Sequence, residues 1–216
     1  MGWLGRLWVI ELEAGGRRVH APVGAHACQL STTTVEAEQT ARAFLRDGLL
    51  ARERCVTLIP PTAADALCAS LAADDFDLDE ALSSRRLVMD ADAGPLTSVH
   101  AFDPYRLVSR HLTDVSCSVA SGAARVRILV DMHWYAAGSS PEALLRYEAA
   151  SHAAMRMYAG RAVVLAQYRY GDLPGDTVID MLRLHPSTVV AQYVRRNPNP
   201  ADPVTFMARL LNRAST

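Results

Sequence analysis

The chain has 216 residues, half of them hydrophobic and 21% charged, with a formal net charge of -1. That balance excludes a disordered chain and a strongly basic nucleic-acid binder, and the length fits one domain with a buried core. Every basic side chain apart from histidine is Arg, read as a coding bias rather than a row of phosphate clamps.

Residues 1–23 read as an N-terminal extension able to add a strand. A short β-branched run at Cys28 to Leu30 predicts the first buried strand. Ser31 to Thr34 then supply N-cap candidates for a helix from Val35 to Leu50, where Ala37, Ala41, Phe44, Leu45 and Leu49 recur at helical spacing. A strand at Cys55 to Ile59 follows, then a helix opened by Pro61 and Thr62 and running to Leu71. A short helix is expected at Asp77 to Leu82 and a strand at Leu87 to Met89. Asp103 and Pro104 form a cap and first-turn pair for a helix that carries Leu107, Val108, His111, Leu112 and Val115 on one face. The run Val126 to Val130 predicts a strand. Ser139 with Glu142 makes a capping box for a helix containing Pro141 and reaching about Tyr158. Val163 to Tyr168 is a further strand, Asp176 to Leu184 a helix stopped by Pro186, and Thr188 to Val190 a weaker strand. Residues 193–216 form a Pro-containing tail with a short terminal helix at Val204 to Leu211.

Strands alternating with helices imply βαβ crossovers, so the expected fold is a three-layer α/β domain with a mostly parallel central sheet flanked by helices. Cys28, Cys55, Cys68 and Cys117 form no C-x-x-C pair, so reduced thiols are expected. The N-terminus lacks a basic start and apolar core of a secretory signal, and no apolar run reaches the roughly 18 residues of a membrane helix. A cytoplasmic protein without a membrane partner is the resulting expectation.

Open α/β sheets bind ligands beyond the carboxyl ends of their strands. Ser31 to Thr34 stand where a nucleotide hydrolase would need glycines and Lys to grip phosphates, and neither is there. Asp131 closes an apolar strand as a Walker B acid would, but without that loop a metal would have no triphosphate to bridge. His133 and Trp134 beside it could orient a polar ligand and floor a pocket; an ordinary core tryptophan explains Trp134 equally well. His26 and Cys28 alternate on one strand and so share a face, as a metal-binding pair, as a nucleophile and base, or as a core histidine beside a buried thiol. Glu148 lies among apolar helix positions, where an inward carboxylate would demand a partner. Gln167 and Tyr168 close another strand, offering recognition without chemistry. No Ser-His-Asp order, paired-carboxylate motif or dinucleotide fingerprint appears, so no reaction is assigned and a non-enzyme is expected. No metal is assigned either; the alternative ligands, His133 and His152, have a spacing that forms no recognised motif.

From about Gly24 to Val190 these residues carry a family resemblance. His26, Cys28 and Leu30, then Phe44 and Gly48, then Glu53 and Cys55, resemble the start of the MEDS sensory domain of methanogens and methylotrophs. Asp131 through Trp134, the pair Tyr147 and Glu148, the pair Gln167 and Tyr168, and His185 with Pro186 resemble its later motifs in order. Asp131 stands where the family usually has Glu, His133 where it has a small polar residue, Ser31 where it has an aromatic and His152 where Asn is common. The resemblance implies a sensory domain over residues 24–192 with a RecA- or KaiC-like fold, no working P-loop and a small organic ligand such as a hydrocarbon derivative. Relatives are fused to DNA-binding or kinase-type output domains, and neither is found here.

The expected pocket therefore comprises Asp131, His133, Trp134, Glu148, Gln167 and Tyr168, with His26 and Cys28. Its cofactor is unassigned, and its output would run through a separate regulatory protein rather than direct nucleic-acid contact, with a homodimer as a further option. Two other classes remain: a partner-switching adaptor in a stress or transcription-control pathway, working through the tail, and a divergent nucleotide-binding enzyme.

Overall fold

The structure, a computed structural model, describes residues 8–14, 17–23, 26–74, 77–90, 102–190 and 193–213. The elements in chain order are β1 (Trp8–Ala14), β2 (Arg17–Val23), β3 (His26–Ser31), α1 (Thr34–Leu50), β4 (Arg54–Leu58), α2 (Pro61–Leu71), α3 (Leu78–Ser83), β5 (Leu87–Asp90) and α4 (Pro104–Ala120). There follow β6 (Val126–Asp131), α5 (Met132–Tyr135), α6 (Pro141–Met155), β7 (Ala162–Arg169), α7 (Gly175–Leu184), β8 (Ser187–Val190), β9 (Tyr193–Arg196) and α8 (Pro203–Arg213).

Seven strands form the central sheet in the order β5-β4-β6-β7-β3-β8-β9. All pair in parallel except β9, which runs antiparallel to β8 at one edge. Helices cover both faces, as a parallel sheet requires, so the expected three-layer α/β fold is what the chain adopts. Sequence reading did not foresee β9 or the four-residue α5, both too short for a periodic signal. The N-terminal extension supplies two strands rather than one, an antiparallel β1-β2 hairpin separate from the main sheet; its first seven residues lie outside those described.

Alternation along each strand sorts the interior into two cores. Cys28 and Leu30 of β3, Val126, Ile128 and Val130 of β6, and Val164 and Ala166 of β7 face α4, α6 and α7. Ala27, Leu129, Val163 and Leu165 face α1 and α2 on the other side. The second core also holds a buried ion pair: Arg127 Nε donates to Glu53 Oε2 at 2.5 Å, its Nη1 donates to the Phe44 carbonyl at 2.8 Å, and the guanidinium lies 5.2 Å from the Phe44 ring centre. Thus Phe44, Gly48, Glu53 and Cys55, four of the family-like positions, gather around one buried arginine. Burial pushes the Cys55 thiol up to about 12, against the opposing Arg127 charge, so it is a core thiol rather than a nucleophile.

The tail is part of the domain. Leu210 of α8 is buried, and Phe206 and Met207 pack against the α4/α6/α7 core. Asn197 Nδ2 donates to the carbonyls of Leu182 and Arg183, closing the end of α7. No helix among the described residues is long and apolar enough to cross a membrane.

Candidate functional site

At the carboxyl ends of β3, β6 and β7, α1 and α2 diverge and leave a cleft of about 310 Å³. Its base is apolar, built from Ala41, Ile59, Leu67 and Leu129, while Ser31, Asp131, His133, Gln167 and Arg169 supply polar groups. Register explains why: Gln29, Gln167 and Asp131 are partners across β3, β7 and β6, so all three project toward α1 in one row. Gln167 Nε2 donates to Gln29 Oε1 at 2.6 Å and to the Ala37 carbonyl at 2.9 Å, and Gln29 in turn donates to Thr40 Oγ1. These bonds fix the carboxamides at the cleft wall.

The start of α1 is satisfied by the chain itself. Thr33 caps it by accepting from the Glu36 amide, and Glu36 Oε2 accepts from both the amide and the hydroxyl of Thr32 at 2.9 Å. A carboxylate thus takes the position that a phosphate would occupy at such a helix terminus. Asp131 likewise caps α5, accepting from the Trp134 amide at 3.1 Å. His133 Nδ1 lies 2.7 Å from Asp172 Oδ2 on the outer rim.

Of the eight residues expected to form one pocket, four border the cleft, three lie across the sheet and Trp134 joins neither group. Asp131, His133, Gln167 and Tyr168 border the cleft. Trp134 does not; it is half-buried, with its ring edge-on to Tyr135. His26, Cys28 and Glu148 lie on the opposite side of the sheet, because even-numbered positions of β3 face α6 whereas Gln29 and Ser31 face α1. The same alternation separates Gln167 from the phenol of Tyr168, which donates its O–H across the interior to Glu148 Oε1. His133 and His152 do not meet either: His133 pairs with Asp172 at the rim, while the His152 ring lies 6.1 Å from that of His26 and 6.4 Å from that of His185.

That second group is a polar cluster inside the α6/α7 core. His26 is 1% exposed, and Glu148 and His185 are 0% exposed. His26 Nε2 lies 3.2 Å and His185 Nε2 lies 2.7 Å from the same Glu148 oxygen, Oε2. His185 is held by its other nitrogen, Nδ1, 2.8 Å from the Met181 carbonyl. Next to them His111 Nε2 meets the Tyr147 hydroxyl at 3.0 Å. Burial, reinforced by the neighbouring His185, His152 and His111, pushes His26 well below the usual imidazole range. Burial also pulls His185 down, but Cys28 and Glu148 outweigh it and hold that imidazole above its ordinary value. Burial, then the adjacent Glu148 charge, raises both Tyr147 and Tyr168 well above the ordinary phenol range.

Sequence reading gives His185 with Pro186 as a family-like motif but does not place it in the site, and treats His111 only as part of an apolar helix face. The available signal was that His26, Glu148 and His185 all fall in such motifs; that they meet is decided by the fold. The sequence matches the family described as MEDS, MEthanogen/methylotroph, DcmR Sensory domain, over residues 25–186. No curated protein matches the chain.

Proposed function

Because this chain belongs to the MEDS sensory-domain family, we propose that it is a non-catalytic sensory module that admits a small organic molecule to the α1–α2 cleft and signals through a separate protein partner. The cleft carries this reading: about 310 Å³ of mostly apolar space with a few fixed polar groups, placed at the strand edge where such sheets take ligands. Its size suits a compact hydrocarbon derivative bearing one polar atom. Asp131, Gln167 and the hydroxyl of Ser31 would orient that atom, while Ala41, Leu67 and Leu129 would take the apolar body. A triphosphate fits poorly, since Glu36 already occupies the α1 N-terminus and Arg42, one of the two arginines lining the cleft, is tied to Asp74 at 2.6 Å and to the Ser70 carbonyl. The unbridged thiols of Cys28, Cys55, Cys68 and Cys117 suit a reducing cytoplasm.

Native mass spectrometry of the purified chain, followed by thermal-shift titration with short-chain ketones and alcohols, tests the reading. Retention of a molecule, or a rise in Tm that is lost when Ala63→Phe and Ala66→Phe fill the cleft, is the expected result. Ligand responses that survive both substitutions, or no response from any of these compounds, would remove the cleft as the sensing site.

A further inference from the structure

We propose that His26, Glu148 and His185 form a buried site for one divalent transition-metal ion, distinct from the α1–α2 cleft. The three come from separate elements, the start of β3, the middle of α6 and the end of α7, yet His26 Nε2, Glu148 Oε2 and His185 Nε2 all lie within 4.8 Å of one another. Each residue is essentially without solvent contact.

The hydrogen bonding favours a cation over a self-contained network. His185 Nδ1 meets the Met181 carbonyl at 2.8 Å, which leaves Nε2 as the ring atom turned to Glu148 Oε2, 2.7 Å away. A contact that close needs a positive charge shared by the two atoms, carried by a proton or by a metal ion. His185 Nε2, His26 Nε2 and Glu148 Oε2 make no hydrogen bond of ordinary geometry, although both imidazoles stand within ion-pair distance of the carboxylate. Three buried polar atoms thus converge on one point without the full hydrogen bonding a core requires, an arrangement that a bound metal ion would satisfy. The supporting shell has the form metal ligands use: a backbone carbonyl fixes the His185 tautomer, and the Tyr168 hydroxyl anchors the other Glu148 oxygen.

The donor set selects the class of ion. Two imidazole nitrogens and one carboxylate oxygen suit zinc and its first-row neighbours, whereas calcium and magnesium take oxygen ligands. Ligand atoms on a tetrahedral zinc stand about 3.3 Å apart, given bonds of about 2.0–2.1 Å. The observed 3.2 Å and 2.7 Å call for an outward rotation of Glu148, and the two imidazole nitrogens, within 4.8 Å of each other, would also adjust to reach one ion. Cys28, a buried thiol on the His26 face of β3, is a candidate for a fourth ligand. The rim pair of His133 and Asp172 is no competitor, being half-exposed and belonging to no such group of three among the described residues.

The test is elemental analysis of the full chain purified without chelator, joined to visible spectroscopy after chelation and reloading with Co²⁺. Expected are about one equivalent of a first-row metal and a tetrahedral Co²⁺ absorption, as for a pre-organised protein site. Glu148→Gln and His185→Gln should each lower retained metal at least tenfold, while His133→Gln should not change it. Should a variant fail to fold, the unsubstituted chain decides alone. Metal content below about a tenth of an equivalent together with only octahedral Co²⁺ spectra would overturn the proposal, as would a site lost in His133→Gln instead.

Discussion

A Cβ placed on Gly48 of α1 would stand 2.7 Å from Cδ of Arg127, the side chain that crosses the layer between helix and sheet. The same Cβ would stand 2.7 Å from Cys55 Sγ. Gly48 is helical, so its backbone angles impose no need for glycine; proximity does. In an open helix Gly→Ala stabilises by about 1 kcal/mol. Here Gly48→Ala is expected to have the opposite sign, destabilising by roughly 1–3 kcal/mol through overpacking. Urea unfolding decides it, because an unchanged or higher midpoint would mean that the Arg127 stem yields freely.

Arg127 and Glu53 should behave as a coupled pair. Glu53→Gln leaves Arg127 buried without its counter-charge and is expected to cost about 3–5 kcal/mol, whereas Glu53→Gln combined with Arg127→Met should recover a large part of that loss. A double-mutant cycle measures the coupling. Additive effects would show that the pair contributes no interaction beyond its separate packing.

Removing residues after Arg196 should weaken the domain rather than merely sever a partner surface. The truncation exposes the apolar patch under Leu210, Phe206 and Met207 and frees the carbonyls that Asn197 closes, so a loss of roughly 3 kcal/mol is expected. A melting temperature that does not move would return α8 to the role of a docking arm.

His111 predicts acid sensitivity. Burial, then the charge of Arg110, lowers its pKa to about 3 from an ordinary 6.5. Between those values the unfolded chain holds a proton that the folded chain refuses. The contribution is therefore fully present above pH 6.5 and is lost as pH falls toward 3, by up to about 1.4 kcal/mol per pH unit. His111→Gln should flatten the stability profile over that window. Equal slopes for both proteins would place the acid sensitivity elsewhere.

Much of the architecture was legible in the sequence because helices and parallel strands leave local signatures. Asp103 before Pro104 and Ser31 to Thr34 marked two helix starts correctly, although Thr33 alone makes the cap bond of the second. The β-branched runs marked six of the seven sheet strands. At Val204 to Leu211 the amphipathic pattern gave the helix but not what it packs against. The candidate site was less legible, since its grouping depended on which side of the sheet each residue faces. Gln167 and Tyr168 are adjacent in sequence and serve opposite layers.

By itself the sequence determined the alternation of strands and helices, the missing phosphate grip and the family, since each is written in neighbouring residues or short motifs. Only the tertiary structure decided that His26, Glu148 and His185 meet, that His133 and His152 do not, and that the cleft opens on the α1 side. Those relations arise from strand order and crossover paths, which bring residues more than a hundred positions apart into contact through packing that no local pattern records.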